Sequence, residues 1–194
     1  RLGFSSAFLC NEVNMMRRKD CEVTDRAWQM QVLRDASIVE VAMVDQNGEP
    51  YIVPVHYGIS EDGTKLYVHS AMVGTKKDIL TMNPKVAFNV TAGVHLVPNT
   101  YRPGKMWGLY RSVCGKGYVT FMSDPADKRE AIRLLKLHYG VVDPHYNDTV
   151  TDDKLNRIVC IWVINITEMT GKVKGYPNPD QPQNKYYQGA VEQL

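Results

Sequence analysis

The apolar residues of this chain change their period at Ala36, and that change restricts the fold more than any other feature. Before it, Trp28, Val32 and Leu33 recur at helical spacing, with Thr24 placed to cap the helix and Asp25 in its first turn. After it come short runs of period two or continuous apolar character, broken by tight turns. Ile38–Asp45 reads as a strand, Asn47-Gly48 as a hairpin turn and Tyr51–Ile59 as the partner strand. Glu61-Asp62-Gly63 then turns the chain into Lys65–Ser70. Loops this short support antiparallel pairing only, so the three runs predict a meander.

Thr75–Met82 reads as a short helix ending before Pro84, followed by a strand over Lys85–Thr91. Ala92–Lys105, with Pro98 and Pro103, reads as a long loop. Trp107–Met122 is a long strand in which Gly115 and Gly117 mark a bulge. Asp124-Pro125 opens a helix with an Ile132, Leu135, Tyr139 stripe, and Gly140 closes it. Arg157–Met169 is the last strong strand. Residues 1–15 read as a leader and are set aside, 16–172 as the domain, and 173–194, with three prolines, as an arm. About six antiparallel strands with two or three peripheral helices predict a mainly β fold, a barrel with helical additions.

A chain of 194 residues fits one domain, and 44% apolar residues suffice for a core. The 23 basic residues against 21 acidic ones leave a charge of +2, which argues against nucleic acid or an anionic membrane as partner. Cys10, Cys21, Cys114 and Cys160 form no C-x-x-C pair, and Cys160 lies in an apolar run. Reduced thiols in a cytoplasm are the expectation.

Several chemistries lack a motif. Gly115-Lys116-Gly117 has neither the third glycine nor the strand–helix setting of a dinucleotide fingerprint. His56, His69, His95, His138 and His145 show no zinc spacing, and no G-x-S-x-G elbow is present. Two segments are richer. Leu66–Lys77 delivers His69, Ser70 and Ala71 to the end of a strand; Gly74 then permits close backbone approach, and Thr75, Lys76 and Lys77 open a helix. Free N–H groups, hydroxyls and two lysines at one spot make a phosphate site. From the residues alone, the plainer reading as a solvated first turn weighs more. Trp107 with Tyr110-Arg111-Ser112-Val113 sets a fixed cation beside aromatic surface, and an ordinary ion pair for Arg111 is the plainer reading there.

In this order the segments resemble the flavin-binding split-barrel proteins related to pyridoxamine 5′-phosphate oxidase, most closely the nitroimidazole-resistance proteins. The resemblance runs from about Met16 to Lys172. It includes Met16–Asp20, Tyr51–Tyr57, Leu66–Ala71 with Gly74 and Lys76, Asn83-Pro84, Tyr110–Val113 with Gly117, and Thr170–Lys172. It implies a six-stranded antiparallel split β-barrel in a homodimer, with flavins at the subunit interface. The cofactor it implies is FMN first and FAD second, reduced nicotinamide being a possible electron donor and a small molecule the substrate. Residue by residue, it sets Val53, Pro54, Val55, His56 and Tyr57 along the flavin ring, largely through backbone groups. His69, Ser70 and Ala71 approach the ribityl chain, and Gly74, Thr75 and Lys76 the phosphate, with Lys77 in support. Trp107, Tyr110, Arg111, Ser112 and Val113 come from across the cleft. His69 is the candidate proton donor, although a structural or ribityl-contacting role is the commoner one for such a histidine. Two departures stand out. Thr75 occupies a position that is commonly arginine in this family. The tail lacks the arginine and tryptophan that pyridoxamine phosphate oxidases use, which disfavours a vitamin B6 substrate. Trp107, Leu109, Tyr110 and the Tyr186-Tyr187 pair are the expected interface anchors.

Overall fold

The computed structural model describes residues 16–99, 102–142 and 150–182. The leader, Cys10, His145 and Tyr186-Tyr187 lie outside the described residues.

One antiparallel sheet dominates. Its strands are β1 (Glu22–Val23), β2 (Val39–Val44), β3 (Pro50–Val55), β4 (Gly58–Ile59), β5 (Lys65–Ser70), β6 (Lys85–Pro98), β7 (Met106–Phe121) and β8 (Cys160–Lys174). They are ordered β3-β2-β6-β7-β8-β5-β4, with β1 beside β8. Six of the strands have six residues or more, while β1 and β4 have two each. β3 and β4 stand at opposite ends of this order, yet only His56 and Tyr57 separate them in the chain. So short a link spans roughly 10 Å, so the sheet curls until its edges approach. The result is the six-stranded split barrel expected from the sequence.

Four element expectations change. Tyr51–Ile59 is two strands, not one: β3 pairs with β2 and β4 with β5, so there is no three-strand meander. Pro50 and Pro54 cannot donate to a second neighbour and hold β3 at the edge. The hairpin loop takes three residues, Gln46–Gly48, with Gly48 at φ 85° and the Asp45 carboxylate accepting from the Asn47 and Glu49 N–H groups. The segment taken as a loop from Ala92 continues as β6 to Pro98, its register shifting between Ala92 and His95 around Gly93 at φ 60°. That bulge lets Val97 and Trp107 pair on an extension of the sheet. Arg157 and Ile158 end a helix capped by Thr151, and the last strand starts at Cys160 and passes Lys172 to reach Lys174.

The helices are α1 (Arg26–Asp35), α2 (Thr75–Met82), α3 (Pro125–His138) and α4 (Asp152–Ile158). Asp25, not Thr24, caps α1, accepting from the Trp28 N–H at 2.6 Å. Thr24 instead donates from its N–H and hydroxyl to Asp180 at 2.6 and 2.8 Å. α1 buries Val32 and Leu33 in the barrel core with Val41, Val68, Val90 and Trp162. α3 covers β4 and β5 through Ala131 and Ile132, which pack with Leu155 and Ile161. Gly58 is required at this crossing, since a Cβ would lie 2.6 Å from the Leu135 nitrogen. Residues beyond β8 strap the two ends together: Tyr176 donates to the Gly93 carbonyl at 2.7 Å and Asn178 to the Glu22 carbonyl at 3.0 Å. No described helix is long and apolar enough to cross a membrane.

Candidate functional site

The loop from β5 into α2 is built as the sequence predicts. Leu66 and Val68 point into the core, so the alternate residues Tyr67 and His69 face away from it. Gly74 is the N-cap of α2 at φ 130°, a conformation that favours glycine, and a Cβ there would meet nothing within 4 Å. No side chain caps α2; the Lys77 and Asp78 N–H groups donate to the Gly74 carbonyl, and the N–H groups before them have no side-chain acceptor. The two lysines diverge by about 100° around the helix. Lys77 donates to the Met72 carbonyl at 2.7 Å and pins the loop. It is therefore committed to the loop and does not support a phosphate directly. Lys76 is half-buried and has no hydrogen bond or ion pair among the described residues.

Three predicted segments converge here. His56, from the β3–β4 link, and Lys76 lie close enough to His69 for their charges to be felt. Partial loss of water lowers the His69 pKa below 6.5, and repulsion from His56 and Lys76 lowers it further. Burial and both neighbours therefore disfavour the protonated form of the His69 imidazole.

The β3 segment is divided in its use. As an edge strand, β3 has one row of backbone groups unclaimed by any neighbouring strand. Val53 and Val55 turn toward the core while Pro54 and His56 turn outward. Tyr57 is fully buried: its hydroxyl donates to the Leu33 carbonyl at 2.5 Å, and its N–H donates to the Tyr139 hydroxyl at 3.2 Å. Tyr57 thus has no surface left for a ligand, contrary to the sequence expectation. It holds the link in place instead.

The β7 quartet is split between two faces. Arg111 and Val113 point inward. Arg111 pairs with Asp35 at 2.9 Å and stands over the Tyr176 ring at 5.5 Å, the ordinary ion-pair reading, while Val113 is core. Tyr110 and Ser112 have the opposite parity; Tyr110 is half-buried and Ser112 is buried. β8 separates β7 from β5, so among the described residues the sheet does not join this quartet to the Lys76 loop. Trp107 and Leu109 are also unavailable as interface anchors, because they are buried with Val97 and Tyr176.

The sequence reading missed a cavity of about 540 Å³ on the outer face of β3-β2-β6-β7-β8. The register lays Ile52, Ala42, Ala87 and Lys116 in one row and Glu40, Asn89, Cys114 and Thr170 in the next. Cys114 donates to Asn89 Oδ1 at 3.3 Å, and Asn89 donates to Glu40 Oε2 at 2.7 Å. Burial raises the Cys114 thiol pKa, partly offset by Lys172, so it stays protonated at neutral pH. The small outward residues Ala42 and Ala87 were the signal, visible only once the register is known.

Residues 25–173 match the protein family described as pyridoxamine 5′-phosphate oxidase. The chain belongs to that family. Among curated proteins none matches it. Among solved structures, it is similar to a protein of Bacteroides thetaiotaomicron named for 5-nitroimidazole antibiotic resistance, at 28% identity and a TM-score of 0.67, covering 78% of this chain and 86% of that one. A FAD- and heme-binding protein of Mycobacterium smegmatis shares the fold at 19% identity and a TM-score of 0.62, covering 79% of this chain and 73% of that one. A flavocytochrome of Azotobacter vinelandii does so at 19% identity and a TM-score of 0.62, covering 89% and 78%. In this pyridoxamine 5′-phosphate oxidase family member, the match takes in the β3 edge, the Lys76 loop and the β7 quartet together.

Proposed function

We propose that this chain is a flavin-dependent oxidoreductase of small molecules, with nitroimidazole-type compounds as the substrate class. The observation that carries the reading is Lys76, a cation with no ion-pair partner among the described residues, beside an uncapped helix start whose Gly74 leaves room for a phosphate. The residues fit the group. Gly74, Thr75 and Lys76 would hold the phosphate, His69 and Ser70 the ribityl chain, and the open edge of β3 from Val53 to His56 the ring. FMN suits this set, and FAD is the alternative. A bound flavin would supply the redox chemistry between a reduced nicotinamide and a small-molecule acceptor. The protein's part is to orient the ring and hold protons where they are needed. A neutral His69 serves there as a hydrogen-bonding group. A second copy would complete the site with Tyr110, the half-buried member of the β7 quartet. A reducing cytoplasm suits the free thiols Cys21, Cys114 and Cys160.

A second reading, a flavin-holding protein without useful turnover, is favoured by one observation: every influence on His69 disfavours its protonated form, and no carboxylate is among them to recharge it as a proton donor. Anaerobic mixing of the flavin-loaded protein with a reduced nicotinamide, with and without a 5-nitroimidazole, separates the two. Bleaching by the donor, with colour restored by the nitro compound, supports the oxidoreductase. Bound flavin that neither partner reduces or reoxidises supports sequestration. A protein that takes up no flavin contradicts both.

A further inference from the structure

We infer that Tyr139, at the end of α3, is a positioning residue for the proposed flavin site: it sets the β3–β4 link, and with it His56, from outside the site. The inference rests on the flavin reading above and adds a residue to it. α3 ends on a fixed geometry. Gly140 takes φ 67°, its N–H donates to the Leu137 carbonyl at 3.0 Å, and the Val141 N–H donates to the Lys136 carbonyl at 2.9 Å. Such a pair of bonds closes a helix C-terminus around a left-handed glycine. Tyr139, the residue before that glycine, is therefore held by the helix and not by the link it touches.

Its side chain reaches two links at once. The Tyr139 hydroxyl donates to the Ser37 carbonyl at 2.6 Å and accepts from the Tyr57 N–H at 3.2 Å. His56 and Tyr57 lie between β3 and β4, outside both strand ladders, so this phenol takes the place of a neighbouring strand. The ring then meets the His56 imidazole edge-on, with centroids 5.1 Å apart and planes at 84°. His56 is exposed and makes no side-chain hydrogen bond among the described residues, so the Tyr139 ring is what aims it. His56 directly follows the open β3 edge and lies near enough to His69 to repel its charge. One aromatic side chain thus connects the helix end, the seam of the barrel and the edge assigned to the flavin ring. His138 serves the anchor and not the site: its Nε2 lies 2.9 Å from the Ala36 carbonyl, and its ring 4.5 Å from that of Tyr57.

The test compares the wild type, Tyr139→Phe and Tyr139→Leu by titration with FMN and with riboflavin. The first substitution keeps a ring against His56 and loses both hydrogen bonds; the second loses the ring contact as well. Because Tyr139 acts at the ring end of the flavin, each change should weaken the two ligands by the same factor. That factor should be roughly three- to tenfold for Tyr139→Phe and larger for Tyr139→Leu, with a shift in the visible absorption of the bound flavin. A purely structural role would lower the urea midpoint and leave affinity and spectrum unmoved. Hydrogen exchange of the wild type requires no variant to fold: coupling is reciprocal, so saturating FMN should slow exchange of the Tyr57, Gly140 and Val141 amides by about tenfold or more. Tyr139→Phe that binds both ligands as the wild type does, a loss confined to FMN, or FMN that leaves these amides unprotected would overturn the role of Tyr139 and leave the flavin reading standing. A wild type that binds neither ligand contradicts the flavin reading itself.

Discussion

At the residue scale, most of the polar chemistry serves the barrel, and Lys76 is the exception. Lys77, one position on, is drawn back by the Met72 carbonyl. A hydrogen bond to a charged group is worth about 1.5–3 kcal/mol, and ~1.4 kcal/mol is tenfold in affinity. Lys76→Ala should therefore weaken FMN binding roughly 10- to 100-fold with an unchanged melting temperature, as calorimetry would report. Tyr57 is the opposite case. Tyr57→Phe removes the hydroxyl donor of the Leu33 carbonyl, while the Ala36 carbonyl keeps His138 Nε2 at 2.9 Å, and should cost about 1–3 kcal/mol in a urea titration. The histidines set the acid side of the stability profile. Burial holds His138 below 6.5 in the folded chain, and His69 is lowered as well. The unfolded chain then binds protons first as pH falls, so stability present above 6.5 is lost as pH drops through the folded values. Denaturation between pH 8 and 5 should show that decline, and His138→Gln should flatten part of it.

At the element scale, glycines mark where strands and helices approach one another. Gly58→Ala would drive a Cβ into the α3 backbone, loosening the helix that covers β4 and β5. Gly74→Ala meets open space but strains a backbone at φ 130°, so it should disturb the phosphate loop and spare the core. Urea midpoints and FMN affinities of the two variants should diverge in opposite senses. Much of this level was legible. Turn residues and strict alternation located β2, β5, α2 and α3, because each follows from local periodicity. What was hidden depends on distant partners. The break at His56-Tyr57 needs α1 carbonyls to receive the tyrosine, and the continuation of β6 past Gly93 needs β7 and Tyr176 beside it. The loop holding His69, Gly74 and Lys76 could be read because its parts are contiguous. The division of Tyr110–Val113 between two faces could not, since nothing in the run says which parity faces inward.

At the scale of the whole molecule, a barrel closed by two residues sets its catalytic candidates at an open edge. The sheet whose edges nearly meet at His56 brings β3, β5 and the start of α2 to one place, though they pair with different strands. The same curvature leaves an outer face on β7, where Tyr110 looks away from its own loop. On the proposed reading a flavin's phosphate meets charge at one end and its ring meets backbone, so the phosphate should decide affinity. Titration of the apo-protein with FMN and with riboflavin measures that contribution directly. FMN is predicted to bind at least tenfold more tightly than riboflavin, and the difference should shrink in Lys76→Ala. Equal affinity of the wild type for the two ligands, or no binding of either, would contradict a flavin phosphate held at the start of α2.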